Sequence, residues 1–524
     1  MLLSGGNIRL GIALNGREQQ GRAIIMAESI RRIAAKYTPY PVACYQGNPL
    51  IETLPCYTEY ESNEILKMLS GVPERPRPEA GNRERSEWLS RLSSNLFIPM
   101  LRHHELASLI TSLILQGYEK RRPVTGQYVS MLQRAYHDRM QGKHVAADFW
   151  GRISASPMTL SLIGARGLGK SRALERIISD MYPQVIHHNS PDLGAVFDQV
   201  VYLKADVPSG TTAKALCMSI LSELSRVTGN SYADGIPKNA MLESLRARLE
   251  SLCDAHCVGV IILDEAQNLL GSRSRKTELF NFIVEFSNTI NVPIIFAGTP
   301  KILEICQQGM RVSRRLGTIG CLQWDRMGYR DRDWNAFIGE LWKYNVLPSE
   351  VPLIIEEIEE TLYDLSQGIP DILVKLFILT QMRTLASASD LVRRGRPPLM
   401  YRDIILAVYD DYFGDVKPIT EILRSNDSKR MAKIADLSWH VSLEQSFENA
   451  MKLESGKINE NSPDFPGEAP DQKLLLAGMT EQYLLSMKVA VTDDIRGLIK
   501  EYLAENDEAA IRDTVSAVLD YLHH

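Results

Sequence analysis

Lys170 and Ser171 end a glycine-spaced run, Gly164-Ala165-Arg166-Gly167-Leu168-Gly169-Lys170-Ser171. The spacing is G-x-x-x-x-G-K-[ST], and the chemistry it serves is phosphate binding. Glycines let backbone N–H groups close around phosphate oxygens, and a helix starting there adds its own donors and dipole. Lys170 would reach the β- and γ-phosphates of ATP, the Ser171 hydroxyl would ligate Mg²⁺, and Arg172 closes the nucleotide-binding stretch. A second pair of groups stands downstream, where Val258-Gly259-Val260-Ile261-Ile262-Leu263 ends in Asp264-Glu265. Asp264 would hold Mg²⁺, mostly through water, and Glu265 would polarise the attacking water. An apolar run ending in two acids says little alone, because many strands end so. Paired with the phosphate loop in one chain, it points to ATP hydrolysis.

Elements of matching type surround both motifs. Met158 to Ile163 reads as a strand entering the loop, and Arg172 to Ile178 as the helix leaving it. Gln199 to Asp206 reads as one strand, followed by helices over about 212–227 and 239–256. Val258 to Glu265 reads as a buried parallel strand delivering acids to its C-terminal end. Val292 to Pro300 reads as a further strand, with Thr299 near its end and a helix from Lys301. This alternation predicts an α/β fold with a parallel sheet flanked by helices. From Trp324 the pattern turns helical, with helices at Trp334–Tyr344, Pro352–Gln367, Pro370–Arg383 and Arg402–Tyr412.

The expected organisation is an N-terminal, mostly helical partner-docking region over 1–125, a nucleotide-binding core over 126–322, a helical lid over 323–415 and a C-terminal helical tail over 416–524. Within the first region, Arg22–Ile33 reads as an amphipathic helix and Tyr45–Pro55 as an extended, turn-rich segment. Val72–Pro78 reads as a stiff charged loop and Leu96–Tyr118 as one or two helices. In the tail, residues 454–473 carry five acids, two lysines and three prolines, the composition of a disordered linker. Helical periodicity returns from Leu474 to Leu522.

Composition narrows the class. The 524 residues are 44% hydrophobic and 23% charged, as in soluble globular proteins. No apolar run reaches the ~20 residues needed to span a bilayer. Met1 to Asn7 lacks a basic stretch leading into an apolar block, so no signal peptide is expected. Seven scattered cysteines predict reduced thiols and a cytoplasmic location. Cys253 and Cys257 have no second pair of matching spacing and read as buried helical thiols, with no metal site. A net charge of −5 means that any nucleic-acid binding must use a local basic surface.

The phosphate loop, the Ile262-Leu263-Asp264-Glu265-Ala266-Gln267 strand end and Ala297-Gly298-Thr299-Pro300 together resemble the TniB/TnsC branch of AAA+ ATPases. Four further stretches carry the resemblance to the regulators of Tn-seven-like transposons. They are Tyr45–Pro55 around Asn48-Pro49-Leu50-Ile51-Glu52, Gly117-Tyr118 with Arg122-Pro123, Leu203-Lys204 through Pro208 to Ala215-Leu216-Cys217, and Gly368-Ile369-Pro370. The resemblance spans roughly residues 40–385. It implies an AAA+ P-loop core in which Thr299 senses the γ-phosphate and one of Arg311, Arg314 and Arg315 reaches the neighbouring subunit's nucleotide. It departs from the pattern at the lid, where Asp371 stands in place of the usual second-sensor arginine and Lys375 lies one turn on.

The implied activity is ATP-dependent regulation of transposition. Such proteins form a homo-oligomeric ring or filament on double-stranded DNA and connect a target selector of the TniQ/TnsD type to the transposase subunits TnsA and TnsB, with hydrolysis as a timer. Head-to-tail contacts of this kind generate rings or open helices. Many subunits each presenting one or two cations would let an acidic monomer hold a duplex. Lys204, Lys214, Arg273, Arg275 and Lys276 are the candidate DNA contacts. The alternatives are a motor or signalling ATPase of the same fold, helicase-loader-like or secretion-associated, and a scaffold that binds ATP without turnover. Glu265 speaks against the scaffold, and the lack of an evident pore-loop aromatic speaks against the motor.

Overall fold

The computed structural model describes residues 30–57, 60–71, 74–119, 158–190, 195–234, 240–270, 292–302, 319–348, 354–425 and 493–505, with isolated positions between them. Its strands are β1 (Arg32–Ala34), β2 (Thr159–Gly164), β3 (Val185–Ser190), β4 (Ala195–Val200), β5 (Tyr202–Asp206), β6 (Val260–Asp264), β7 (Ile294–Gly298) and β8 (Gly320–Trp324). Five form the central sheet in the order β5-β6-β7-β2-β8, with every neighbouring pair parallel. β2, β6 and β7 are buried along their whole length. That is why they read as continuous apolar runs without alternation. A small second sheet has the order β1-β3-β4, with β1 parallel and β4 antiparallel to β3.

Two readings of the sequence change here. Gln199–Asp206 is not one strand. β4 ends at Val200 in the small sheet, and β5 starts at Tyr202 in the central one. At the junction the Val200 N–H donates to the His256 carbonyl (2.9 Å) and the Val201 N–H to the Gln184 carbonyl (2.9 Å). Burial on both sides hides this change of sheet from the apolar pattern. Arg32–Ala34, the end of the helix expected over 22–33, is strand β1, and residues 22–29 lie outside the described residues.

The N-terminal helices are α1 (Pro49–Glu52), α2 (Ser62–Leu69), α3 (Asn82–Asn95) and α4 (Leu101–Glu119). α1 lies in the segment expected to be extended, and α2 and α3 were not anticipated. α1 forms because Asn48 caps it: its Oδ1 accepts the Leu50 N–H at 3.1 Å. The Asn48 amide also donates to the Tyr118 and Arg121 carbonyls at 2.7 and 3.3 Å. α2 opens with a capping box, the Glu64 carboxylate accepting the Glu61 N–H at 2.9 Å.

This N-terminal region is a layer of the core. Leu50, Ile51, Leu106, Ile110, Leu113 and Tyr118 share one apolar cluster with β2 and with the helix that follows the phosphate loop. Trp88, Leu89, Leu92 and Leu96 share another with the lid. The fully buried Arg121 donates to the Gly117 and Val258 carbonyls at 2.8 and 2.7 Å, and the Tyr118 hydroxyl donates to the Cys257 carbonyl at 2.9 Å. Neighbouring core helices are α5 (Lys170–Met181), α6 (Ala213–Thr228) and α7 (Leu242–Ala255).

The lid comprises α8 (Arg332–Trp342), α9 (Glu356–Ser366), α10 (Pro370–Ala386), α11 (Ala388–Arg393), α12 (Arg402–Tyr412) and α13 (Lys417–Ser425). α13 follows α12 and packs back on α9. Arg424 pairs with Asp364 at 2.7 Å, and Ile419 is buried. In the loop Arg393–Pro398, Arg396 lies over the Tyr401 ring at 4.0 Å and pairs with Asp403 at 2.8 Å. In the tail, α14 (Asp493–Glu505) matches the helical periodicity, while 454–473 lies outside the described residues.

Candidate nucleotide site

β2 delivers the phosphate loop at the C-terminal edge of the sheet, and α5 leaves it. Gly167 and Gly169 hold φ angles of 75° and 84°, a left-handed conformation that a side chain disfavours. Gly169 is the N-cap of α5, so the loop's curl and the first free helical N–H groups coincide. Lys170 is 8% exposed and curls back into the loop, donating to the Gly164 and Ala165 carbonyls at 2.7 and 2.8 Å. Burial lowers its pKa to about 8, against the opposing pull of Asp264 and Glu265. A buried cation resting on neutral carbonyls fits an anionic guest, and a triphosphate would supply the missing counter-charge.

β6 brings the carboxylates. Asp264 is 3% exposed, and its Oδ1 accepts the Glu265 N–H at 2.9 Å. Glu265 has a φ of 53°, unusual for a residue with a side chain and costing roughly 1–3 kcal/mol. The turn throws its carboxylate out of the strand line into the cleft, where Arg166 faces it at 3.7 Å. β7 lies between β6 and β2, so the strand ending at Gly298 runs between the phosphate loop and the acids, with Thr299 at its tip. Thr299 is buried, and its N–H donates to Gln267 Oε1 at 3.0 Å. Gln267 sits on the short 3₁₀ turn Ala266–Leu270 and also donates to Glu265 Oε2.

One cavity of about 450 Å³ collects these groups, and it is lined from three parts of the chain. The core supplies Arg166 to Arg172, Asp264, Glu265, Gln267 and Thr299, the lid supplies Phe337, Asp371, Val374 and Lys375, and the N-terminal layer supplies Leu96, Phe97, Ile98, Met100 and His103. The last set had no signal in the sequence, since nothing marks apolar residues 60 positions upstream of the loop as neighbours of it. His103 is neutral: burial lowers its pKa to about 3, and its Nδ1 accepts the Met100 N–H at 2.8 Å. Gln267 was visible only as the last letter of the Asp-Glu-Ala-Gln run.

The lid docks directly on the loop. The Asp371 N–H at the start of α10 donates to the Gly167 carbonyl at 3.2 Å, and Lys375 pairs with Asp371 at 3.0 Å inside the cavity wall. Lys375 therefore reaches the site. Arg172 lines the cavity too, but its guanidinium is anchored on the Ser94 carbonyl of the N-terminal layer.

Lys204 is placed differently from expectation. It is only 18% exposed in its side chain and is held by Glu175 at 2.7 Å, Asp264 at 3.4 Å and Asp206 at 3.8 Å. Its charge faces the acid strand beside it. Lys214 lies half-buried at the start of α6. Arg273, Arg275, Lys276, Arg311, Arg314 and Arg315 lie outside the described residues. Cys253 and Cys257 are buried, and burial raises the Cys257 thiol to about 12. No group of three or more metal-ligating side chains occurs among the described residues, and no described helix is long and apolar enough to cross a membrane.

The site geometry agrees with the similarities to known proteins. Residues 155–306 match the AAA domain family. No curated protein matches the chain. Among solved structures, the Walker-type ATPase PABY2304 of Pyrococcus abyssi is 16% identical over 69% of this chain and 90% of its own, with a TM-score of 0.34. The Aeropyrum pernix ORC1 protein, solved in complex with DNA, is 12% identical over 74% of this chain and 96% of its own, with a TM-score of 0.32. The Aeropyrum pernix ORC2 protein, solved as ADPNP-ADP complexes, is 13% identical over 77% and 95%, with a TM-score of 0.31. At these identities and scores they do not speak to what this chain binds. The matched segment carries both the phosphate loop and the acid strand on one parallel sheet, so residues 155–306 are an AAA-family P-loop ATPase domain and the chain is an ATP-hydrolysing enzyme.

Proposed function

We propose that this ATPase is a nucleotide-timed regulator of transposition that assembles on double-stranded DNA and couples a TniQ/TnsD-type target selector to the transposase subunits TnsA and TnsB. The observation that carries the reading is the composition of the nucleotide cavity. Core, lid and N-terminal layer all line it, so a nucleotide filling the cavity would touch all three at once. An occupant held this way governs how the parts sit together, which suits a switch. The assignment to transposition comes from the sequence resemblance. Two of its stretches meet in space, where Asn48 holds the carbonyls of Tyr118 and Arg121.

In this reading Lys170 and the loop N–H groups hold the phosphates, and the apolar face formed by Leu96, Phe97, Ile98 and Met100 takes the base. Ser171 and Asp264 would hold Mg²⁺, which neutralises charge on the β- and γ-phosphate oxygens. Glu265 polarises the attacking water, and Thr299 contacts the γ-phosphate. One of Arg311, Arg314 and Arg315 completes the site of the next subunit in a homo-oligomer, an addition worth on the order of 10³–10⁵ in rate. Lys214, Arg273, Arg275 and Lys276 are the proposed DNA contacts. The test is electron-microscopic imaging with duplex DNA, with and without a non-hydrolysable ATP analogue. Rings or filaments only with the analogue are expected. Monomers in every condition would overturn the switch in favour of a motor or signalling ATPase of the same fold.

A further inference from the structure

Gln267 is almost wholly buried, and both ends of its amide are used. Nε2 donates to Glu265 Oε2, and Oε1 accepts the Thr299 N–H at 3.0 Å. One side chain thus joins the carboxylate at the end of β6 to the tip of β7. The fit is tight. A Cβ at position 298 would stand 2.4 Å from Gln267 Oε1, so Gly298 is what lets the amide reach the strand. The turn is held as well: the Asn268 N–H donates to the Glu265 carbonyl at 2.9 Å, and the Asn268 amide donates to the Val207 carbonyl at 2.8 Å. Glu265 needs such support. Its left-handed backbone stores strain, and the opposing Arg166 lies at 3.7 Å with both side chains more than a third exposed, a weak tether.

We propose that Gln267 is a positioning residue, whose amide fixes the Glu265 carboxylate relative to Thr299 during hydrolysis. It takes part in no bond-making step. By donating to Oε2 it leaves Oε1 to accept from the attacking water. By accepting from Thr299 it ties the orientation of the carboxylate to the strand tip proposed to face the γ-phosphate. Only an amide does both: a carboxylate at 267 keeps the acceptor, loses the donor and sets like charge against Glu265, and an alanine removes both.

The inference rests on Glu265 as the polarising carboxylate, and the experiment separates the two. ATP turnover and ATP binding are measured for the full-length protein as wild type, Q267A, Q267E, E265Q and the Q267A/E265Q double variant. Q267A and Q267E are expected to lower kcat about 10- to 100-fold, the scale of a misplaced reacting group, with KM and ATP affinity within twofold of wild type. In the E265Q background, Q267A should cost less than twofold further, because Gln267 acts only through Glu265. Wild-type kcat in Q267E, which keeps the size of the side chain and does not depend on Q267A folding, would overturn the proposal. A full additional loss in the double variant would overturn it too, by showing a merely structural role. Normal turnover in E265Q would instead remove Glu265 from the mechanism, and with it the basis for the role of Gln267.

Discussion

At the scale of single residues, the site takes two of its charges, Lys170 and Asp264, out of water. Lys170 illustrates it. Its pKa is lowered from 10.5 to about 8 because the ammonium is buried among carbonyls. With a depressed pKa in the folded protein, the unfolded chain binds more protons between about 8 and 10.5, so stability of the nucleotide-free protein from this group rises across that window. A bound triphosphate would hold the proton on. Above pH 8 nucleotide binding should therefore take up a proton, and ATP affinity should fall by up to about tenfold per pH unit. Calorimetry at pH 7 and pH 9 reads this directly, and K170A, expected to lose at least ~100-fold in ATP affinity, should abolish the trend. Equal affinities at the two pH values would show that Lys170 keeps its proton in the empty site. Lys204 makes the opposite point. It was read as a candidate DNA contact, and three carboxylates hold its ammonium.

At the scale of elements, Asn48 ties α1 to the end of α4 within the N-terminal layer, and Tyr118 and Arg121 tie that end to the core. Asn48 caps α1 and receives no help from solvent, being fully buried, while its amide holds two carbonyls at the end of α4. Asn48→Ala would remove the cap and take the amide donor from both carbonyls, leaving Tyr118's only the Arg121 N–H, at a cost of roughly 1–3 kcal/mol. Urea denaturation monitored by tryptophan fluorescence should show that loss. A change under 0.5 kcal/mol would mean that the layer is held by its apolar contacts alone, on the usual scale of surface substitutions. The lid is tied with similar economy, through the Asp371 N–H on the Gly167 carbonyl and through α13 folding back on α9.

At the scale of the whole molecule, core, lid and N-terminal layer converge on one cavity. None of the tail beyond α13 lines the cavity among the described residues. On the proposed function, removing residues 454–524 should leave ATP turnover and nucleotide-dependent DNA binding within about twofold of the full chain, while coupling to the transposase is lost. Filter binding to duplex DNA with and without nucleotide checks the first half, and strand-transfer assays with the transposase check the second. Loss of DNA binding on truncation would place the tail in the DNA-binding core.

Local chemistry was legible in the chain by itself. The phosphate loop, the acid-terminated strand and the strand before Thr299 are continuous segments whose meaning depends on residue type and spacing within about ten positions, and the structure places all three on one parallel sheet in the expected way. Lid helices α8 to α10 and α12 were legible for the same reason, since periodicity is a local property. What required the tertiary structure was every relation between distant segments. Residues 96–103 gave no sign of being a wall of the nucleotide cavity, because apolar side chains look alike whether they face a core or a ligand. The break at Val201 was hidden because Gln199 to Leu203, the residues on both sides of it, are buried. The inward turn of Lys204 and the two-ended grip of Gln267 depend on which side chains arrive from other strands, and only the folded sheet decides that.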